Sequence, residues 1–111
     1  MKKEIFQNSV RVSTDTNCWT YYYVSLIQNK PLFSKEVSGY TLILGEFVLY
    51  KNDYGSYQKG FTGERANVVS KTKSNLLHNI SCLASTKYTD EDSVFNTLLL
   101  SCKNYVTGGN I

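Results

Sequence analysis

The chain has 111 residues, 41% of them hydrophobic and 19% charged, with a formal net charge of +3. That length suits one domain with one core, and the balance excludes a chain too polar to fold. The mildly basic charge excludes an acidic surface that imitates DNA, and a pI of about 8.7 stays below the value of ~9 expected of a domain that binds nucleic acid by charge alone.

No apolar run approaches the ~18 residues of a membrane span, and Met1 to Gln7 turns polar too early for a secretion signal, so a cytoplasmic protein is expected. Cys18, Cys82 and Cys102 form no CxxC pair and are odd in number, which predicts reduced thiols. Ten lysines against two arginines, with ten asparagines and two alanines, suggest AT-biased codons and a low-GC bacterial or phage source.

Along the chain, Phe6, Val10 and Val12 alternate with Gln7, Ser9, Arg11 and Ser13, the period of a half-buried strand over Glu4 to Thr14. Asp15-Thr16-Asn17 reads as a turn. Cys18 to Gln28 is a second strand, dense in the aromatic and β-branched residues that suit a pleated surface. After the turn at Asn29-Lys30-Pro31, Phe33 and Val37 among polar residues read as a short edge strand. Tyr40 to Lys51 is the next strand, with Gly45 marking a bulge, and Asn52 to Gly55 closes it. Tyr57 to Phe61 reads as either a short fifth strand or a loop.

Beyond Gly63 the period changes. Ala66, Val69, Leu76, Leu77, Ile80, Leu83 and Ala84 share one stripe of a 3.6-residue repeat, which predicts a helix from about residue 63 to 85 with Thr62 as its cap. A second helix is expected to open at Thr89-Asp90-Glu91-Asp92, where carboxylates suit the helix dipole, and to bury Phe95, Leu98, Leu99, Cys102 and Val106. Gly108-Gly109 ends it. The fold class expected is α+β: a single domain over 1-111, with a four- or five-stranded antiparallel meander over about 4-61. Two amphipathic helices over about 63-106 pack on one sheet face.

The period of two places Trp19, Tyr21 and Tyr23 on one face of their strand, with Cys18, Tyr22, Val24 and Leu26 on the other. If the helices cover the second set, the first presents rings to a partner. The expected partner-binding residues are Trp19, Tyr21 and Tyr23, joined by Tyr54, Tyr57, Lys59 and Arg65 around the following loop. Glycines leading into a helix start, with cations nearby, also suggest a phosphate site from Lys59, Gly60, Gly63 and Arg65, extended by Lys71 and Lys73.

His78 is the only histidine and lies off the apolar stripe, with Cys82 one turn later; neither has a motif around it. No catalytic residue, metal site or cofactor is therefore assigned. Leu100, Val68 and Cys82 fall off the stripes and leave room for a homodimer contact. The function expected is a small non-enzymatic protein-binding module, in its narrower form a phage- or mobile-element-encoded inhibitor that occludes a host defence nuclease complex. The alternative is a binder of single-stranded DNA or RNA that stacks bases on the aromatic face.

Overall fold

Four runs rich in β-branched and aromatic residues pair into one antiparallel sheet: β1 (Lys2–Thr14), β2 (Cys18–Asn29), β3 (Gly39–Lys51) and β4 (Tyr57–Ser70). This computed structural model describes residues 1–15, 17–86 and 92–111. Sequence neighbours are sheet neighbours, in the order β1-β2-β3-β4, the meander that short connections favour. Two helices follow, α1 (Lys73–Ala84) and α2 (Val94–Thr107). The expected α+β architecture is present, with four strands.

Both helices cover the same sheet face, α2 over β1 and β2 and α1 against β3 and β4. Tyr22, Val24 and Leu26 of β2 and Tyr40, Leu42 and Leu44 of β3 point into that layer. They meet Leu76 and Ile80 of α1 and the full apolar stripe of α2, Phe95, Leu98, Leu99, Cys102 and Val106. Phe95 stacks on Tyr22 with ring centres 4.7 Å apart and planes 9° from parallel. Burying each large side chain is worth about 1.5–3 kcal/mol, so this layer holds the helices to the sheet.

Three expectations are corrected. Residues 31–38 form no strand: Phe33 has a φ of 68° and is 100% exposed, a left-handed conformation that a strand cannot pass through. The segment from Tyr57 is neither loop nor short strand, and the sheet extends to Ser70 rather than ending near 61. Ala66 and Val69 therefore belong to β4, and α1 begins ten residues later than the stripe implied. Its cap is Thr72, whose hydroxyl accepts from the Asn75 amide at 3.1 Å, and not Thr62. Finally, α2 begins at Val94 after Ser93, while Thr89, Asp90 and Glu91 lie outside the described residues.

β4 is bulged. Its register against β3 shifts between Leu44 and Gly45 and again between Glu46 and Phe47, leaving Arg65 and Thr62 as extra residues on β4. β1 is irregular too, at Ile5 and Val12. Both edge strands thus carry bulges, a device that discourages edge-to-edge pairing with other chains.

Candidate functional site

Helices occupy one face of the sheet, and among the described residues no helix or further strand lies over the opposite face. Its composition follows from register. Arg11, Tyr21, Phe47 and Phe61 lie side by side across β1 to β4, and the next positions bring Trp19 beside Leu49 and Lys59. In the other direction, Tyr23 is flanked by Ser9 and Gly45.

The rings form a connected cluster of four, Tyr21, Tyr23, Phe47 and Phe61, and a separate stacked pair, Trp19 and Tyr57. Tyr21 stacks on Phe47 at 4.9 Å and 6°, and Trp19 stacks on Tyr57 at 5.1 Å and 23°. Tyr23 meets Phe61 edge-on at 5.8 Å, while Phe61 meets Phe47 at 6.1 Å. Such pairs contribute about 0.5–1.5 kcal/mol each beyond their buried area. Tyr23 and Phe47 are closed over, at 7% and 5% exposure, whereas Phe61 and Tyr57 remain 68% and 57% exposed. The cluster is thus a packed base carrying an exposed rim.

Gly45 makes this arrangement fit. A Cβ there would stand 2.7 Å from Cε1 and Oη of Tyr23 and 2.8 Å from the Gly63 carbonyl oxygen, so the Tyr23 ring lies over the bare backbone of β3. Burial pushes the Tyr23 phenol above its ordinary value of 10.0, and the Glu64 and Glu4 carboxylates push it the same way. Beside Tyr23 is a depression of about 310 Å³, lined by Ser25, Ile27, Ile43, Lys59, Phe61, Glu4 and Gln7. The buried Ser25 hydroxyl donates to Glu4 Oε2 at 2.5 Å.

Of the expected partner-binding residues, Trp19, Tyr21, Tyr23, Tyr57 and Lys59 come together on this face. Tyr54 sits apart, 94% exposed at the tip of the β3–β4 turn, where Asn52 Oδ1 accepts from the Tyr54 and Ser56 amides. Arg65 is on the helix side. Its guanidinium bonds Asp92 Oδ2 at 3.3 Å, lies 3.9 Å from Glu46 Oε2 and sits over the Tyr22 ring. Half-exposed, this ion pair contributes no more than about 1 kcal/mol.

The expected phosphate site is corrected. Gly60 and Gly63 lie inside β4 with their neighbours paired to β3, so no helix N-terminus stands behind them. Lys59 and Arg65 point to opposite faces, and Lys71 and Lys73 lie beyond the far end of β4, roughly 30 Å along the strand. Lys73 donates there to the Ile111 carbonyl oxygen at 3.3 Å.

Phe47 and Phe61 were not singled out from sequence, although the alternation of β3 past Gly45 already places Phe47 with Tyr21. Leu32 and Phe33, 68% and 100% exposed, add an apolar tip at the β2–β3 turn. On the helix side, Cys82 Sγ lies 3.5 Å from His78 Nε2, both exposed. Among the described residues no group of three His, Cys, Asp or Glu could hold a metal ion, and no helix is long and apolar enough to cross a membrane. Val68 lies in β4 opposite Leu42 and Leu100 on α2, so the off-stripe residues form no single helical contact surface. No family model, curated protein or solved structure matches this chain.

Proposed function

We propose that the protein is a non-enzymatic binding module that docks another protein on its helix-free sheet face. The observation that carries this is the aromatic cluster on a sheet face that no helix among the described residues covers. Strands of about 13 residues and four strands across give a face of roughly 40 by 19 Å, near 800 Å². A standard protein interface takes about that area from each partner, with exposed aromatics as its anchors. The bulged edges favour docking by the face over strand addition.

Binding of single-stranded nucleic acid is less well supported. Bases need free ring faces, and Tyr21, Phe47, Trp19 and Tyr57 stack on one another. The narrower form of the proposal, an inhibitor encoded by a phage or mobile element that occludes a defence nuclease complex, is supported by chain size and codon-biased composition.

The test is affinity capture from a low-GC bacterial lysate with the wild type, a Tyr57→Ala/Phe61→Ala variant and a Leu100→Ala variant, each with and without nuclease. A nuclease-resistant protein held by the wild type and Leu100→Ala but lost by the double variant is expected. Recovery of nucleic acid alone, abolished by nuclease and raised salt, overturns the reading.

A further inference from the structure

The middle of the uncovered face is not uniformly apolar. Lys59 sets its ammonium 4.1 Å from the centre of the Phe47 ring and 5.1 Å from that of Phe61. Among the described residues both ion pairs belong to Arg65, so Lys59 rests against rings and not against a carboxylate. A ring face holds an exposed cation by about 0.5–1 kcal/mol, and a carboxylate at contact under partial desolvation attracts it more strongly. The chain therefore positions a charge without supplying its stronger counterpart.

The charges around it are segregated. Arg11 and Lys51 fall on the same half of the face by register, opposite Tyr21 and Tyr57. Glu4 and Glu64 lie toward the other half, opposite Ile27 and Gly45, with Lys2 beyond Glu4 at the far end. Glu4 already accepts from Ser25, and Glu64 from Asn67 at 3.3 Å. The Trp19 end of the face thus carries the cations, while Glu4 and Glu64 border the cluster on the Tyr23 side. Next to Lys59, the 310 Å³ depression has Ile27, Ile43, Tyr23 and Phe61 in its walls. That volume is at the lower limit of small-molecule sites, about 300 Å³, and suits one bulky side chain.

We propose that the face accepts a protein segment presenting an acidic side chain beside a bulky apolar one. The carboxylate meets the Lys59 ammonium, and the apolar group fills the depression. This rests on the protein-docking function above and names the chemistry of its partner.

Trp19 is the single tryptophan, stacked on Tyr57 and two strands from Lys59, so its fluorescence reports on the site. The probes are a random glutamate–tyrosine copolymer, polyglutamate of equal length and a thymidine oligonucleotide. Each is titrated against the wild type, Lys59→Gln and Lys59→Arg. The copolymer is expected to shift Trp19 emission and to bind about tenfold more tightly than polyglutamate. Lys59→Gln should weaken it about tenfold and Lys59→Arg should restore most of the loss. Equal binding of copolymer and polyglutamate overturns the inference, as does a Lys59→Gln variant that binds like the wild type. Tighter binding of the oligonucleotide overturns both the inference and the docking function. No response to any probe overturns the inference alone, and the docking function then stands or falls on the capture experiment.

Discussion

Replacing Gly45 by alanine adds one methyl group at the point where the aromatic cluster rests on the sheet. The new Cβ would lie 2.7 Å from Cε1 and Oη of Tyr23 and 2.8 Å from the Gly63 carbonyl oxygen. The ring edge belongs to a side chain and can turn aside, but the carbonyl belongs to the β3–β4 pair beside its bulge and must move with the backbone. Overpacking of a filled site costs about 1–3 kcal/mol, and two simultaneous clashes put Gly45→Ala near 2 kcal/mol. For a domain of this size that corresponds to a fall in Tm of roughly 8 °C. Urea unfolding followed by Trp19 fluorescence measures it, since a chain this short is expected to unfold in two states. In a Tyr23→Ala background only the carbonyl contact remains, so the same substitution should be about 1 kcal/mol milder there. A Gly45→Ala protein within about 0.5 kcal/mol of the wild type would refute the claim that Gly45 is required for the ring to lie across β3.

Two further expectations come from the helix side of the sheet. Thr72→Ala should destabilise the protein by about 1 kcal/mol by removing the hydroxyl that caps α1, while Thr62→Ala, within β4, should leave the helical circular dichroism signal unchanged. The reverse pattern would restore the longer helix expected from periodicity. Stability should also fall at alkaline pH. Burial pushes the Cys102 thiol from 9.0 up to about 12, and it raises the Tyr22 and Tyr23 phenols, with Asp92 adding to the first and Glu64 to the second. Each group stays neutral in the fold but ionises more readily when unfolded, so its contribution is whole below the unfolded pKa and is lost as pH rises through the folded one. Urea midpoints should be level to about pH 8.5 and then decline toward pH 12, by at most ~1.4 kcal/mol per pH unit for each group. Cys102→Ala should make the decline shallower, and a midpoint that rises over this range would contradict the burial argument.

How much was legible from sequence depended on whether side-chain period survived in each element. β2 and β3 are interior strands without a register break between them, so alternation alone separated Tyr22, Val24 and Leu26 from Trp19, Tyr21 and Tyr23. The stripe of α2 was equally plain, because all five of its expected core residues are buried under the 3.6-residue repeat. β4 defeated the same reasoning. Its two bulges insert Thr62 and Arg65, so residues on the aromatic side fall at Phe61 and Glu64, three apart. The inward Ala66 and the outward Val69 are also three apart, the spacing of consecutive members of one helical face. Ala66 and Val69 pair regularly with Leu44 and Thr41 on opposite faces, so their spacing of three matches a helix by coincidence, and on an edge strand only one neighbour exists to reveal the true pairing.

That misreading has a functional side. Ending the sheet near Phe61 turned Lys59 to Arg65 into a loop, and a loop can gather its cations around a phosphate. Continuing the strand sends Lys59 and Arg65 to opposite faces, commits Arg65 to Asp92 and Glu46, and lays Lys59 over Phe47 and Phe61. The same residues then argue for a different ligand. A basic loop would follow the charge of a backbone, whereas under the proposed docking function one ammonium set among rings would select a partner with a carboxylate and an apolar group at matching separation. The bulge at Thr62 therefore does more than bend an edge strand: by shifting the alternation between Lys59 and Arg65 it sends Arg65 to the helix side and leaves Lys59 on the aromatic face.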